Sequence, residues 1–439
     1  MSLAACAAAP PVAQPPLTDP ASSAQQFLQR RLDSSTLGLA ADPQQWRLQD
    51  WRHAARQLNP QILARQAELE TALAARATAA QAPNPGLHLS LERVLNTGSL
   101  AWLYGAALEF LLRPDGEAER LQQLAAIDAL SMQAQLAQTH AEVDTELQRA
   151  LLDLHAATRM QALLQRQTAL RQRLLDAARQ RSAAGDIDKV GPLPVLTRLA
   201  DAKAMSAAAR EAGEDARARL AAAVGVPQAA LSALTELIAD EAPALPPAVD
   251  DATRLRALVR HPLVQQALQH YARAELELQG QLAQTRPGWR LAPGYQWDRG
   301  DRILTLDASL ELPLFHRNQA GIAEAMARRR SAAQNLAAAQ AALYQRIERA
   351  QTALQAAQRA QAEADAGYQH AQAALAVMQR RLQLGAATRP AVLAHEDELI
   401  ATALHRIRAR QRLQLAQAQL QDVLYARPPL ETIRQENPQ

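Results

Sequence analysis

The chain has 439 residues, is 48% hydrophobic but only 3% aromatic, and carries 47 basic against 44 acidic residues. Aromatic side chains bury the most area each, so their scarcity excludes an ordinary globular core and favours a mainly helical fold of closely packed helices. The two signs of charge are interleaved, and without a basic stripe no nucleic-acid partner is predicted. The single cysteine excludes an internal disulfide and a cysteine-based metal cluster.

The N-terminal residues 1–44 predict a lipid-anchored tether. Cys6 closes the run Leu3-Ala4-Ala5-Cys6, which is similar to the lipobox of bacterial lipoproteins, and a stretch rich in Pro, Ala, Ser and Gln follows. The alternative is that these small residues occur together by chance. This alternative is favoured by the lack of a charged region and an apolar region before the cysteine. Lipidation of Cys6, with palmitate among the attached chains, is predicted on the assumption that the start lies inside a longer signal.

The chain repeats its features at a constant separation of 202 residues. The recurring pairs are Asn59-Pro60 with His261-Pro262, Pro85-Gly86 with Pro287-Gly288, and Leu108-Glu109 with Leu310-Glu311. Such a fixed period predicts a duplicated unit, with repeats over residues 45–225 and 251–427. A proline-rich linker over 226–250 separates them, and a tail over 428–439 follows.

Each repeat predicts a helix, two strands and a long α-hairpin in that order. The helices cover 45–81 and 251–284, the strands 87–95, 100–112, 289–297 and 303–314, and the hairpins 115–225 and 321–425. At 1.5 Å per residue, the first helix of each hairpin reaches about 100 Å. Apolar residues spaced by three, four and seven predict a coiled-coil seam along the second of these helices. The seam residues are Ile322, Met326, Ala333, Leu336, Leu343, Ile347 and Leu354.

Apolar and polar residues alternate in the four predicted strands. The apolar positions are Leu87, Leu89, Leu91, Trp102, Tyr104, Ala106, Leu108, Phe110, Leu112, Trp289, Leu291, Tyr295, Trp297, Leu304, Leu306, Leu310, Leu312 and Leu314. This period matches strands that cross a bilayer. Open sheet edges cannot face lipid, so a sheet that spans a membrane requires several copies of the chain, and three copies would give twelve strands, which can close a barrel. The alternative is a small soluble sheet with one face packed on helices.

Each long hairpin reverses at a glycine. The first break begins at Gly185 and ends at Pro192, and the second begins at Gly385 and ends at Pro390. Glycine just past a helix end and proline near the next start are typical of chain reversal. Both breaks lie at the far ends of duplicated hairpins, which marks them as candidate contact sites.

The sequence resembles the TolC-like outer-membrane efflux family from about residue 40 onward. The resemblance is carried by the stretch from Leu310 to Ala325, in which the Phe-x-Arg-Asn-Gln form of 315–319 is similar to that of heavy-metal-cation efflux members, and by the tip from Leu384 to Leu393. It implies a homotrimer in which four strands per protomer form a 12-stranded outer-membrane β-barrel and the long α-hairpins form an α-helical barrel in the periplasm. It also implies that the tips contact a periplasmic adaptor joined to an inner-membrane pump, through Gly185, Asp186, Gly385, Ala386 and Thr388.

The sequence departs from the family at the second tip. Family members often carry aspartates there that narrow the pore, but the matching positions here hold Ala391 and Ala394. The nearest acids, and hence the candidate gate residues, are Asp186, Asp188, Glu396 and Asp397.

The predicted function is a passive export channel in the outer membrane. No catalytic constellation, cofactor or metal site is predicted. The alternative is a soluble or peripheral coiled-coil scaffold, which would explain the helices but not the strands or the duplication. The sequence does not identify the exported substrate, whether metal cation or drug.

Overall fold

The computed structural model describes residues 19–40, 42–79, 81–94, 101–112, 116–232, 249–285, 289–298, 301–310 and 316–425. Cys6, Leu312 and Leu314 lie outside these ranges. The helices are α1 (Pro20–Leu28), α2 (Ser34–Leu37), α3 (Leu48–Leu58), α4 (Pro60–Ala79), α5 (Glu117–Ala183), α6 (Leu193–Val224), α7 (Asp251–Arg260), α8 (Pro262–Ala283), α9 (Gln319–Gln383) and α10 (Arg389–Val423). The strands are β1 (Gly86–Val94), β2 (Ala101–Leu112), β3 (Trp289–Asp298) and β4 (Asp301–Leu310).

The chain divides into two compact units. The first comprises Met1–Pro60, Glu142–Leu245 and Ala353–Gln419, and the second comprises Gln61–Ala141, Pro246–Thr352 and Leu420–Gln439. Helices α5 and α9 contribute to both. The first unit holds both hairpin ends, and the second holds the sheet.

The sheet is a four-stranded antiparallel meander in the order β1-β2-β3-β4. Leu87 faces Leu108 in the first hairpin, and Trp289 faces Leu310 in the second. Each residue of the second pair lies 202 positions after its counterpart, so the two β-hairpins share one register. The predicted duplication and the mainly helical fold class with a small β part are confirmed.

The prediction of a single helix at the start of each repeat is wrong, because the structure has two consecutive helices there. The first predicted helix breaks at Asn59 between α3 and α4, and the second at His261 between α7 and α8. Both residues precede a proline and have extended backbone, with ψ of 120° at Asn59 and 134° at His261. The proline ring disfavours helical geometry in the residue before it but fits the first position of the next helix.

The predicted seam on α9 is only partly correct. Leu343, Ile347 and Leu354 are buried, whereas Met326 is exposed and Ala325 is buried in its place. A straight helix with 3.6 residues per turn drifts about 20° per heptad away from a repeat of seven. Ala325 lies 18 residues before Leu343, which is about five full turns, so it returns to the buried face where Met326 does not.

The core of the first unit includes a tight contact near the end of α6. Asn59 is buried, and its Nδ2 donates to the carbonyl oxygen of Ala223 at 2.8 Å. Gly225 ends α6 with a φ of +88°, and Arg30 Nη1 donates to the carbonyl oxygens of Leu58 and Gly225 at 3.3 and 3.4 Å. The turn after α6 is thereby held against the α3–α4 break.

His261 is the counterpart of Asn59 in the second repeat, and it should make the free energy of unfolding depend on pH. Its Nδ1 accepts from the backbone N–H of Leu263 at 3.2 Å, and burial, followed by the charge of Arg346, lowers the pKa of His261 from 6.5 to about 4. Between pH 6.5 and pH 4 this histidine is protonated in the unfolded chain but neutral in the folded chain. Stability therefore falls as the pH drops from 6.5 to 4, by up to about 3 kcal/mol.

We expect His261→Asn to make the free energy of unfolding less dependent on pH between 6.5 and 4. Asparagine is the residue of the first repeat and keeps an oxygen acceptor for the start of α8. Urea unfolding at pH 7 and pH 4.5 measures the effect. An equal loss of stability at low pH in the variant and in the unaltered chain would rule out His261 as the source.

Candidate functional surfaces

One face of the sheet is apolar and exposed. The register places Tyr104 beside Trp297 and Tyr295 beside Leu304 on this face, and the Tyr104 and Trp297 rings lie 5.8 Å apart. The exposed large residues of this face are Leu87, Leu89, Leu91, Trp102, Tyr104, Leu108, Phe110, Trp289, Tyr295, Trp297, Leu304 and Leu306. Apolar patches larger than a few hundred square ångströms are rare on monomeric soluble proteins, so this face is a candidate contact surface.

The opposite face of the sheet carries most of the polar side chains of the strands. These are His88, Ser90, Glu92, Glu109, Arg290, Gln296, Thr305, Asp307 and Ser309, and Leu103, Leu111 and Ile303 lie among them. Arg290 Nη1 lies 3.9 Å from Glu109 Oε1 across β2 and β3. Among the helices in the described ranges, none combines the length and the hydropathy needed to span a membrane.

Asn318 lies just before the start of α9 and bonds to the end of α8. This residue adopts a φ of +54°, which asparagine tolerates better than most residues. Its Nδ2 donates to the backbone and side-chain oxygens of Gln281 at 3.0 and 2.7 Å, and its carbonyl accepts from Ile322 N at 3.0 Å. The asparagine of the sequence motif therefore joins the end of α8 to the first turn of α9.

The two hairpin ends are built alike. At the first, Gly185 has a φ of +84° and Asp186 N donates to the carbonyl of Arg181 at 2.9 Å. At the second, Gly385 has a φ of +71° and Ala386 N donates to the carbonyl of Arg381 at 2.8 Å. Both patterns are Schellman caps, in which a left-handed glycine lets the last carbonyls of a helix find donors.

The two ends differ in their exposed side chains. Val190, Leu193 and Leu196 are exposed beside the first turn, whereas beside the second turn Val392 is buried and Leu384 is exposed. Sequence reasoning emphasised the small residues of these turns and missed the apolar trio. The run Val-Gly-Pro-Leu-Pro-Val-Leu at 190–196 was the available signal.

Of the four candidate gate acids, Asp397 is engaged in an ion pair. Arg171 of α5 approaches it with Nε at 2.9 Å from Oδ1 and Nη2 at 3.0 Å from Oδ2, and Gln167 Nε2 donates to Oδ1 at 3.0 Å. Arg171 Nη1 also donates to the carbonyl of Arg198 on α6 at 2.6 Å. The negative charge of Asp397 is thus balanced within the chain.

The remaining candidate acids are more accessible. Asp186 and Asp188 are exposed in the first turn, and Glu396 is half-buried on α10. Within the described part of the chain, no group of three or more His, Cys, Asp or Glu side chains could hold a metal ion.

Together, these features define a class of protein with duplicated long α-hairpins, a small sheet with one apolar exposed face, and tight glycine turns at the hairpin ends. No protein-family profile matches the sequence, and no curated protein matches it. Solved structures do match.

Three of the matching structures illustrate the likeness. The outer membrane protein VceC of Vibrio cholerae matches with a TM-score of 0.69 and 18% identity over 86% of this chain and 95% of that chain. The open state of the outer membrane channel MtrE of Neisseria gonorrhoeae gives 0.68 and 18% over 87% and 89%. The outer membrane channel CmeC of Campylobacter jejuni gives 0.72 and 12% over 86% and 85%. The chain therefore has the fold of a TolC-like outer-membrane channel.

Proposed function

We propose that the protein is the outer-membrane channel subunit of a tripartite efflux system. In this role it is a homotrimer and a passive conduit, without catalytic residues, through which substrates leave the periplasm. A periplasmic adaptor and an inner-membrane pump deliver the substrate to it. The observation that carries the proposal is the exposed apolar face of the sheet, in a chain with the fold of outer-membrane channels.

The sheet supports a position in lipid because large apolar side chains dominate one of its faces and most polar side chains lie on the other. Leu304 and Leu306 project from the apolar face of β4, while Thr305 and Ser309 lie on the polar face. In a bilayer-spanning sheet, lipid-facing and lumen-facing residues alternate in this way. A coiled-coil scaffold, the competing function, gives no reason for such a face. Fractionation separates the two functions, because a channel sediments with outer membranes and a scaffold does not.

The proposal predicts that charge is tolerated on one face of β4 only. Leu306→Arg should weaken the folded state in the membrane by about 2–4 kcal/mol near the bilayer midplane, whereas Ser309→Arg on the polar face should have little effect. The amount of folded protein in outer-membrane fractions, and its resistance to urea in lipid vesicles, measure the difference. If both variants insert equally well, the apolar face does not contact lipid.

A lipid anchor at Cys6 is part of the same proposal. Its support is the Leu3-Ala4-Ala5-Cys6 run alone. Labelled palmitate should enter the product of the full-length precursor, and Cys6→Ser should remove that label. Since the sheet also holds the protein in the membrane, the variant should lose part of its assembly rather than all of it. Label that persists in the variant would refute the anchor.

Within this proposal a heavy-metal cation is the cargo to test first, because the Phe-x-Arg-Asn-Gln form of residues 315–319 is similar to that of heavy-metal-cation efflux members. Deletion of the gene should then lower resistance to such a cation. Unchanged resistance to cations, with lowered resistance to drugs, would reject this cargo.

A further inference from the structure

A cavity of about 300 Å³ lies where the ends of three helices meet in the second unit. It is lined by Arg120 of α5, by residues of α8 between Glu277 and Gln284, and by residues of α9 between Gly321 and Arg328. Arg120 and Gly321 belong to the first turns of their helices, whereas Gln284 caps the C-terminal end of α8. The cavity is therefore bordered by two helix beginnings and one helix end.

Gly280 makes room for the side chain of Arg120. This glycine lies inside α8, where glycine is unfavourable compared with alanine. A Cβ there would lie 2.8 Å from Nη1 and 2.9 Å from Cζ of Arg120, so the missing side chain lets the guanidinium lie against the helix. Glu117 is the one hydrogen-bond partner of Arg120 within the described residues, and the buried Nε has none there. Arg120 therefore has donors left for a ligand.

The cavity offers donors on one side and acceptors on the other. The beginnings of α5 and α9 carry a partial positive charge, and the end of α8 carries a partial negative charge. Glu277, on α8, accepts from Arg273 Nε at 2.9 Å through one carboxylate oxygen, and a carboxylate can accept further donors. At the exposed rim, Arg328 and Glu324 bond to each other. A ligand with both a negative and a positive group fits this arrangement better than a simple anion or cation.

The cavity lies close to one end of the sheet. Leu112, Trp289 and Leu310 are paired neighbours at that end. Gln284 precedes Trp289 by five residues, so the chain holds their Cα atoms within about 18 Å of each other. Trp289 is 50% exposed, and tryptophans are enriched at the level of the lipid headgroups. When the sheet spans a bilayer, the cavity is thus within reach of those headgroups.

We infer that this cavity binds the headgroup of a phospholipid that carries a phosphate and a primary ammonium, as in phosphatidylethanolamine. Arg120 donates to the phosphate oxygens, for which the planar set of guanidinium donors is well suited. The ammonium donates to the carboxylate of Glu277, and the acyl chains lie along the apolar face of the sheet. The inference rests on the proposed function, which places that face in lipid.

Retention of lipid by the purified protein tests the inference. Protein extracted from outer membranes in detergent is given equal amounts of phosphatidylethanolamine, phosphatidylcholine and phosphatidylglycerol, and native mass spectrometry counts the lipids that stay bound. Phosphatidylcholine has the same charges but no N–H donors, and phosphatidylglycerol has no cationic group. The unaltered protein should retain phosphatidylethanolamine at least about tenfold better than either, which corresponds to one charged hydrogen bond.

Variants on the two sides of the cavity separate the roles of its charges. Arg120→Gln should lower the retention of phosphatidylethanolamine about tenfold, and Glu277→Gln should make it equal to that of phosphatidylcholine. Arg65→Gln is the matched control. Arg65, on α4 of the same unit, bonds to Glu68 three residues away, as Arg120 bonds to Glu117, but it is not among the residues that line the cavity. This variant should retain lipid as the unaltered protein does.

Equal retention of the three lipids by the unaltered protein would overturn the inference, and so would equal losses in Arg120→Gln and Arg65→Gln. If Arg120→Gln does not assemble, Glu277→Gln decides, and an unchanged preference in that variant would overturn the inference. Soluble glycerophosphoethanolamine should displace the lipid only in large excess, whereas displacement at equal concentration would overturn a lipid as the ligand. A protein that does not sediment with outer membranes would refute the proposed function as well, but an outer-membrane protein without lipid preference would refute this inference alone.

Discussion

Gly225→Ala is expected to destabilise the first unit by about 3 kcal/mol or more. Gly225 ends α6 with a φ of +88°, a conformation that costs a residue with a Cβ about 1–2 kcal/mol. A Cβ at this position would also lie 2.5 Å from the carbonyl oxygen of Leu58 and 2.8 Å from the Cα of Asn59. These are backbone atoms, so a side-chain rotation cannot relieve the clash.

Gly385→Ala is the matched control for that experiment. Gly385 also follows a long helix, and its φ is +71°, but nothing lies within 4 Å of the position that a Cβ would occupy. It should therefore lose only the conformational cost, about 1–2 kcal/mol. Urea unfolding monitored at the tryptophans reports on the first change directly, because Trp46 and Trp51 are buried in the same unit. Equal losses in the two variants would show that the approach of Leu58 does not matter.

The environment of Gly225 explains why a large effect is expected there. Replacement would push the α6 turn away from the α3–α4 break and strain two contacts. One is the bond from Asn59 to the carbonyl of Ala223, and the other is the pair of bonds from Arg30. Asn59 is buried, and leaving its amide without an acceptor would cost a further 1–3 kcal/mol or so.

The features that could be predicted from the sequence depend on local patterns, such as the alternation along a strand, and on the duplication at 202 residues. Alternation at every second residue set the faces of the strands, because side chains in a strand point to opposite sides in turn. The separation of 202 residues set the equivalence of the two hairpins, which the register of Leu87 with Leu108 and of Trp289 with Leu310 reproduces. Glycine followed by proline located both reversals, since these residues act on the backbone locally.

The parts that could not be predicted depend on contacts distant in sequence or on the exact helix period. The ion pair of Asp397 with Arg171, 226 residues earlier in the chain, is one example, because no local pattern indicates that pairing. Met326 is exposed, against the prediction, because the buried face of a straight helix drifts by about 20° per heptad from a seven-residue repeat, and this drift accumulates over several turns. Val190 was missed because sequence alone does not tell an exposed apolar residue from a buried one.

The hairpin ends are where the proposed function predicts a loss of activity without a loss of assembly. Gly385→Val should leave the protein folded, assembled and in the outer membrane, while export fails and cross-linking to the adaptor drops. Valine at a φ of +71° is strained, because a β-branched side chain with positive φ is a genuine outlier, at a cost on the order of 1–3 kcal/mol. The turn can relieve the strain only by changing shape, and Ala386 and Thr388 shift with it.

The effect should stay local because space around Gly385 is open, and the nearest buried side chain of the following helix is Val392. Gly367→Val is the matched control: Gly367 lies within α9, has an ordinary helical φ, and also has nothing within 4 Å of a Cβ. It should export normally at the same protein level. Export assays in cells, with quantification of outer-membrane protein for each variant, separate the outcomes. Normal export by Gly385→Val would show that the turn serves chain reversal alone, and equal failure of Gly367→Val would show that added bulk on these helices, rather than the shape of the turn, blocks function.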